Sequence, residues 1–217
     1  MKIIRRQFRY RNDNVVYYII GFTFLIYLAQ MVLVYIPVIN LPIVIVFSMN
    51  PNRIIHLGWY WQFFTYMFIH SPQAMSHILF NMFALFIFGR QVEWRMGSRE
   101  FLMYYFVTGT LAGIFSFFVY YLTGQTGVYL MGASGAIFAV QLAYAAFFPD
   151  STIYIWGILP IKAPLMVLGF AGLEIFFMFT RDGSNVAHGT HLAGFAFGWL
   201  YFTVRFGINP WKSFRRR

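Results

Sequence analysis

Apolar residues in this chain fall into long unbroken runs rather than alternating with polar ones. The runs cover about 15–36, 76–89, 101–122, 132–148, 164–179 and 188–204, and short polar or basic stretches separate them. Roughly 20 consecutive apolar residues are enough for a helix to cross a bilayer core. The pattern therefore predicts an all-α polytopic membrane protein, a bundle of six transmembrane helices spanning 14–206. Basic tails occupy 1–13 and 207–217. The first run outlasts a signal-peptide core and no small-residue cleavage site follows it, so it reads as a retained signal anchor. Residues 37–75 form a long connection. Its Leu41–Phe47 run is too short to cross, while Trp59, Tyr60 and Trp61 suit a membrane–water interface. We expect an ordered outer loop, partly embedded in the membrane. The short apolar piece Ile153–Leu159 lies between the fourth and fifth runs.

Composition agrees with the runs. Of 217 residues, 60% are hydrophobic and only 10% charged, which excludes an ordinary soluble domain. Cysteine is absent, so disulfides and thiolate chemistry are excluded. A net charge of +10 would suit nucleic acid if it were spread over one face, but it gathers at the chain ends and in short turns. With both termini in the cytoplasm, fourteen of the sixteen Lys and Arg residues fall on the cytoplasmic side, leaving only Arg53 and Arg181 outside. That follows the positive-inside rule. The expected partner is the lipid bilayer, not nucleic acid.

One stretch draws attention to chemistry. Gly132-Ala133-Ser134-Gly135 sets a hydroxyl between glycines at the head of the fourth run. Such a cluster can be a packing notch between membrane helices. It can also hold a nucleophile, since a helix N-terminus favours nearby negative charge. Depth bears on the choice. At about 1.5 Å per residue, Ser134 stands about 22 Å above the inner end of its helix, His191 about 21 Å and His77 about 20 Å. Asn81 stands lower, at about 14 Å. His77 and Asn81 share a helix face at i and i+4, and His191, Gly194 and Gly198 share one at i, i+3 and i+7. The Gly194/Gly198 notch matches a small-residue strip of Gly135, Ala139 and Ala143, so the fourth and sixth helices are expected to pack closely.

Three motifs in order carry a resemblance: His77-Ile-Leu-Phe-Asn81 (HxxxN), Gly132-Ala-Ser134-Gly135 (GxSG) and His191-Leu-Ala-Gly194-Phe-Ala-Phe-Gly198 (HxxGxxxG). With them the chain resembles the rhomboid family of intramembrane serine proteases from about Trp59 to Gly198. The resemblance implies Ser134 as nucleophile and His191 as general base, with His77, Asn81 and the Ser134 N–H stabilising an oxyanion. It further implies single-pass membrane proteins as substrates, cut near the outer face, and an integral protein of a bacterial inner membrane. Two positions depart from the family pattern. Its Trp-Arg pair in the first loop reads Trp61-Gln62, which leaves open what anchors that loop, and Thr190 stands where alanine is common.

Other polar residues receive simpler readings. The only acid near His191 in sequence is Asp182, so a two-residue dyad is expected rather than a triad. Phe138, one turn below Ser134, can support the His191 ring by stacking. His188 and His191 stand at i and i+3, but the sequence offers no third ligand and no HExxH, so neither metal nor cofactor is expected. His56 and His70 are read as loop-surface residues and Glu93 as structural. Glu174 is an intramembrane acid and hence a functional candidate by default, though a single hydrogen-bonded glutamate is the simpler account. Two other functions stay open: a catalytically silent binder of membrane helices, and a small transporter.

Overall fold

The computed structural model describes residues 8–33, 43–155, 157–180 and 185–214. The outermost basic residues, the end of the first apolar run and the Arg181–Asp182 turn lie outside the described residues. Among the described residues, four helices are long and apolar enough to cross a membrane: α1 (Val15–Leu33), the continuous Met75–Met96 helix, α7 (Ser98–Leu122) and α9 (Ala163–Thr180). The short helices α2 (Ile43–Phe47), α3 (Pro51–Leu57) and α4 (Gln62–Thr65) precede the second of these. That second helix is built from α5 (Met75–Ala84), a π-helical turn over Leu85–Gly89, and α6 (Arg90–Met96). Two further apolar helices are shorter, α8 (Ser134–Phe147, 14 residues) and α10 (Asn185–Tyr201, 17 residues). A second π turn, Phe202–Phe206, prolongs α10, and α11 (Pro210–Phe214) ends the described chain.

Two expectations are corrected. The second helix does not stop at Gly89 where the charges begin. Arg90 lays its guanidinium over the Tyr17 and Phe86 rings at 5.2 Å each, and Glu93 turns inward. The helix ends at Gly97, whose φ of 87° breaks the turn. Nor is the protein entirely helical. Thr152–Ile155 (β1) and Leu159–Lys162 (β2) pair antiparallel, Thr152 opposite Lys162, where a short apolar piece was expected.

Glu93 explains how α1 is fixed. Its carboxylate accepts from the Val15 N–H at 2.7 Å, the Val16 N–H at 3.1 Å and the Ser98 hydroxyl at 2.5 Å. A carboxylate at a helix N-terminus satisfies donors that have no intrahelical partner. At the end of the bundle remote from Ser134, buried Arg205 grips buried Glu100 with two hydrogen bonds of 2.7 and 2.8 Å, and the Tyr201 hydroxyl adds a third at 2.6 Å. This ties the end of α10 to the start of α7.

The centre of the bundle is α7, α8 and α10. A side chain at Gly194 would collide with the Gly135 carbonyl, and one at Gly198 would come within 2.6 Å of the Tyr104 hydroxyl. That hydroxyl donates to the Ala139 carbonyl at 2.5 Å. Ser116 and Thr190 share a hydrogen bond of 2.6 Å, which gives Thr190 a partner on α7.

The long first connection folds into this bundle. Tyr66 to His70 are all buried, and the Tyr66 hydroxyl donates to Gly109 on α7 at 2.7 Å. Gln62 is fully buried and stands where the family pattern has arginine. Its Nε2 donates to the Ile45 and Val46 carbonyls at 3.1 and 3.0 Å, and its Oε1 accepts from the Asn50 N–H at 3.0 Å. A neutral amide thus holds the loop by its backbone. Gln30 on α1 does the same for His70, donating to its carbonyl at 3.0 Å and accepting from its N–H at 3.4 Å. His70 is accordingly no surface residue but fully buried, and burial, then the nearby His77, pushes its pKa down to about 3 against a weaker opposing pull from the Phe68 backbone.

Candidate active site

Ser134 owes its place to the segment before it. Met49 and Leu130 exchange backbone hydrogen bonds of 3.0 and 2.8 Å, and the Asn50 side chain donates to the Val128 carbonyl at 3.0 Å. Gly132 then donates to the Tyr66 carbonyl at 3.0 Å with φ at +113°, a conformation that side chains rarely adopt. A Cβ there would also come within 2.6 Å of His77 Nε2. Only glycine lets the chain pass the histidine and enter α8. Ser134 is the first residue of that helix, so its N–H belongs to the first turn and lacks an intrahelical acceptor.

Across the α8–α10 contact, His191 Nε2 lies 2.8 Å from Ser134 Oγ. The Phe138 ring stacks on the imidazole at 4.4 Å between centroids and 9° between planes, which fixes its orientation. His77, Asn81, Ser134, Phe138 and His191 line one cavity of about 920 Å³ between α5 and α9, with Tyr154 of the hairpin and Phe170 of α9. The Asn81 amide donates to the His77 carbonyl at 3.0 Å, which orients it and leaves its second N–H for another acceptor.

Sequence reasoning missed the partner on the far side of His191. Glu174 Oε1 lies 3.0 Å from His191 Nδ1, although the approach is too oblique for an aligned hydrogen bond. Its other oxygen accepts from His188 Nδ1 at 2.5 Å. The reading that gave Asp182 as the only acid near His191 in sequence did not foresee this carboxylate, and the expectation that His188 and His191 lack a third ligand is corrected. The carboxylate comes from a different helix, 17 positions away in sequence from His191, where no local motif announces it. The available signal was an acid inside a membrane helix, which needs a partner. His56 is exposed in the first loop, apart from the site.

These features define a helical, integral membrane protein with a serine–histidine pair set into a cleft within the bundle. The chain belongs to the rhomboid family. A rhomboid domain matches residues 57–208. The RHOMBOID-like protein 12, mitochondrial, of Arabidopsis thaliana is 28% identical over 56% of this chain and 40% of its own length. The Rhomboid protease GlpG of Salmonella choleraesuis (strain SC-B67) is 31% identical over 64% of this chain and 46% of its own. The chain thus spans less than half the length of the curated relatives it matches.

Proposed function

We propose that this protein is an intramembrane serine endopeptidase that cleaves membrane-anchored proteins. The observation that carries the reading is the 2.8 Å contact between Ser134 Oγ and His191 Nε2. Neutral His191 accepts the hydroxyl proton as Oγ attacks the scissile carbonyl. The resulting oxyanion takes hydrogen bonds from the Ser134 N–H, Asn81 Nδ2 and His77 Nε2, donors fixed before the reaction begins. His191 then gives its proton to the leaving amine, and water hydrolyses the acyl-serine by the same steps in reverse order. Glu174 acts as a positioning residue, holding the His191 proton on Nδ1 so that the Nε2 lone pair faces Ser134. No metal or cofactor takes part in these steps.

Six crossings with both termini in the cytoplasm remain our reading of the topology. The 14-residue α8 is only about 21 Å long, so a crossing built on it starts well below the outer surface and leaves Ser134 at the floor of a recess. Reporter fusions that place either terminus outside would overturn this layout. A model single-pass substrate, incubated with purified protein and mapped by mass spectrometry, tests the activity. We expect one cut near the outer end of the substrate's span, abolished in Ser134→Ala together with fluorophosphonate labelling. His191→Ala should fall almost as far, and the double variant scarcely further, because residues that act as a unit are strongly non-additive. A folded wild-type protein that neither labels nor cleaves would leave the silent membrane-helix binder as the function.

A further inference from the structure

The cluster behind His191 has more donors than the proposed reaction needs. Glu174 on α9 faces His188 and His191 on α10, and the three donor atoms lie within 4.8 Å of one another. The imidazoles are one helical turn apart, so both present Nδ1 to the same carboxylate. His191 Nδ1 is buried yet has no aligned hydrogen-bond partner. The proposed steps at Ser134 involve His188 only through its contact with Glu174. Side chains of His188, His191 and Glu174 are 13%, 20% and 13% exposed, so the cluster is sheltered without being sealed.

We propose that Glu174, His188 and His191 form a Zn²⁺ site whose occupation switches the protease off. Two imidazoles and a carboxylate make up a known three-ligand zinc set that leaves the fourth position to water. Nitrogen donors favour zinc and its transition-metal neighbours over Mg²⁺ or Ca²⁺, which prefer oxygen. Bonds of about 2.0–2.1 Å at a tetrahedral angle put neighbouring donors about 3.3 Å apart. The carboxylate–imidazole separations of 2.5 and 3.0 Å, each to a different oxygen, are hydrogen-bond lengths, and all three donors lie within 4.8 Å of one another, so a shift of at most about 1.5 Å brings them to that spacing.

The consequence follows from the two nitrogens of one ring. Zinc takes the Nδ1 lone pair of His191, so the single ring proton moves to Nε2. That nitrogen then donates to Ser134 Oγ and can no longer accept its proton. The serine stays in place but loses its base. Removing the ion returns the proton to Nδ1, beside Glu174, and frees the Nε2 lone pair. The inhibitory half of this proposal rests on the protease reading, whereas the binding half does not.

Binding is therefore measured on Ser134→Ala protein in detergent, by equilibrium dialysis against ZnCl₂ after stripping with EDTA. We expect one Zn²⁺ per chain, and at least about tenfold weaker binding once His188→Gln is added. Glutamine keeps a donor for Glu174, and an unchanged melting temperature shows that the variant is folded; Glu174→Gln provides a second ligand deletion. Equal binding by Ser134→Ala and both ligand-deleted forms overturns the site. In the activity arm, saturating Zn²⁺ should abolish cleavage by wild-type protein and EDTA should restore it. His188→Gln, normalised to its own rate in EDTA, should require more zinc. Full cleavage with one Zn²⁺ bound overturns the switch. Zinc bound by Ser134→Ala, with no cleavage by wild type even in EDTA, upholds the site and removes the protease reading instead.

Discussion

Where α10 meets α8, a methyl group on Gly194 has no room beside the Gly135 carbonyl. On α9, Gly169 and Gly172 have nothing within 4 Å of where a Cβ would stand. The same residue type therefore serves opposite ends on the two sides of the bundle. The α7–α8–α10 side is locked backbone to backbone and carries Ser134 and His191. On α9 only Ala163, Met166 and Val167 are buried, and the helix borders the cleft that leads to the serine. Close packing is concentrated at the serine–histidine pair, and open space lies along α9, which borders the cleft. Glu174 is the exception, since it reaches from the loose helix to the rigid pair.

The comparison can be broken most sharply at Gly194. Gly194→Ala should cost about 4 kcal/mol or more, because the obstacle is backbone that cannot swing aside. Thermal unfolding in detergent measures it, and a protein that keeps its melting temperature would remove close packing as the reason for this glycine. The buried loop behaves as part of the rigid side and supplies a pH test. His70 has a depressed pKa in the folded state and an ordinary one when unfolded, so the unfolded chain binds more protons between about 6.5 and about 3. Stability should be full above pH 6.5 and fall by about 1.4 kcal/mol per pH unit below it. His70→Gln should flatten that part of the profile; an unchanged slope would assign it to other groups.

Glu174 sharpens the comparison where the two sides touch. Glu174 stands 3.0 Å from His191 Nδ1 and stabilises the imidazolium formed when Ser134 gives up its proton, so Glu174→Ala should slow fluorophosphonate labelling of Ser134 roughly tenfold or more. The reduction should appear in the rate at saturating probe with little change in half-saturation; the reverse split would make Glu174 a binding group. The smallest effect is expected at Gly172. Gly172→Ala on the open face should raise stability by about 0.4–1 kcal/mol, and a large loss there would mean that α9 is packed more tightly than its exposure implies.

Ser134, His191, His77 and Asn81 were legible because each sits in a motif only a few residues long and on a strongly apolar run. The order of the apolar helices was legible for a similar reason, since a run of apolar residues needs no distant partner to be recognised. Glu174 was not, because its meaning depends on two side chains of another helix. His70 was misjudged, Gln30 was passed over and the anchoring role of Gln62 was left open for a related reason. A polar residue in a loop or on a helix flank looks solvated until the backbone groups it satisfies are known. The end of the second helix was misplaced because Arg90 and Glu93 read as a surface turn. One covers aromatic rings and the other caps a helix met 78 residues earlier.

That last span has a consequence for how the protein is made. Helix α1 leaves the ribosome ahead of α6, and the carboxylate that caps its N-terminus follows 78 residues later. At about 5–20 residues per second, roughly 4–16 s of synthesis separate the two. During that interval the first helix lies in the membrane with its leading N–H groups unmet by Glu93. The basic residues ahead of it meanwhile favour one direction of insertion. Glu93 can therefore cap α1 only late, once the second helix stands beside the first.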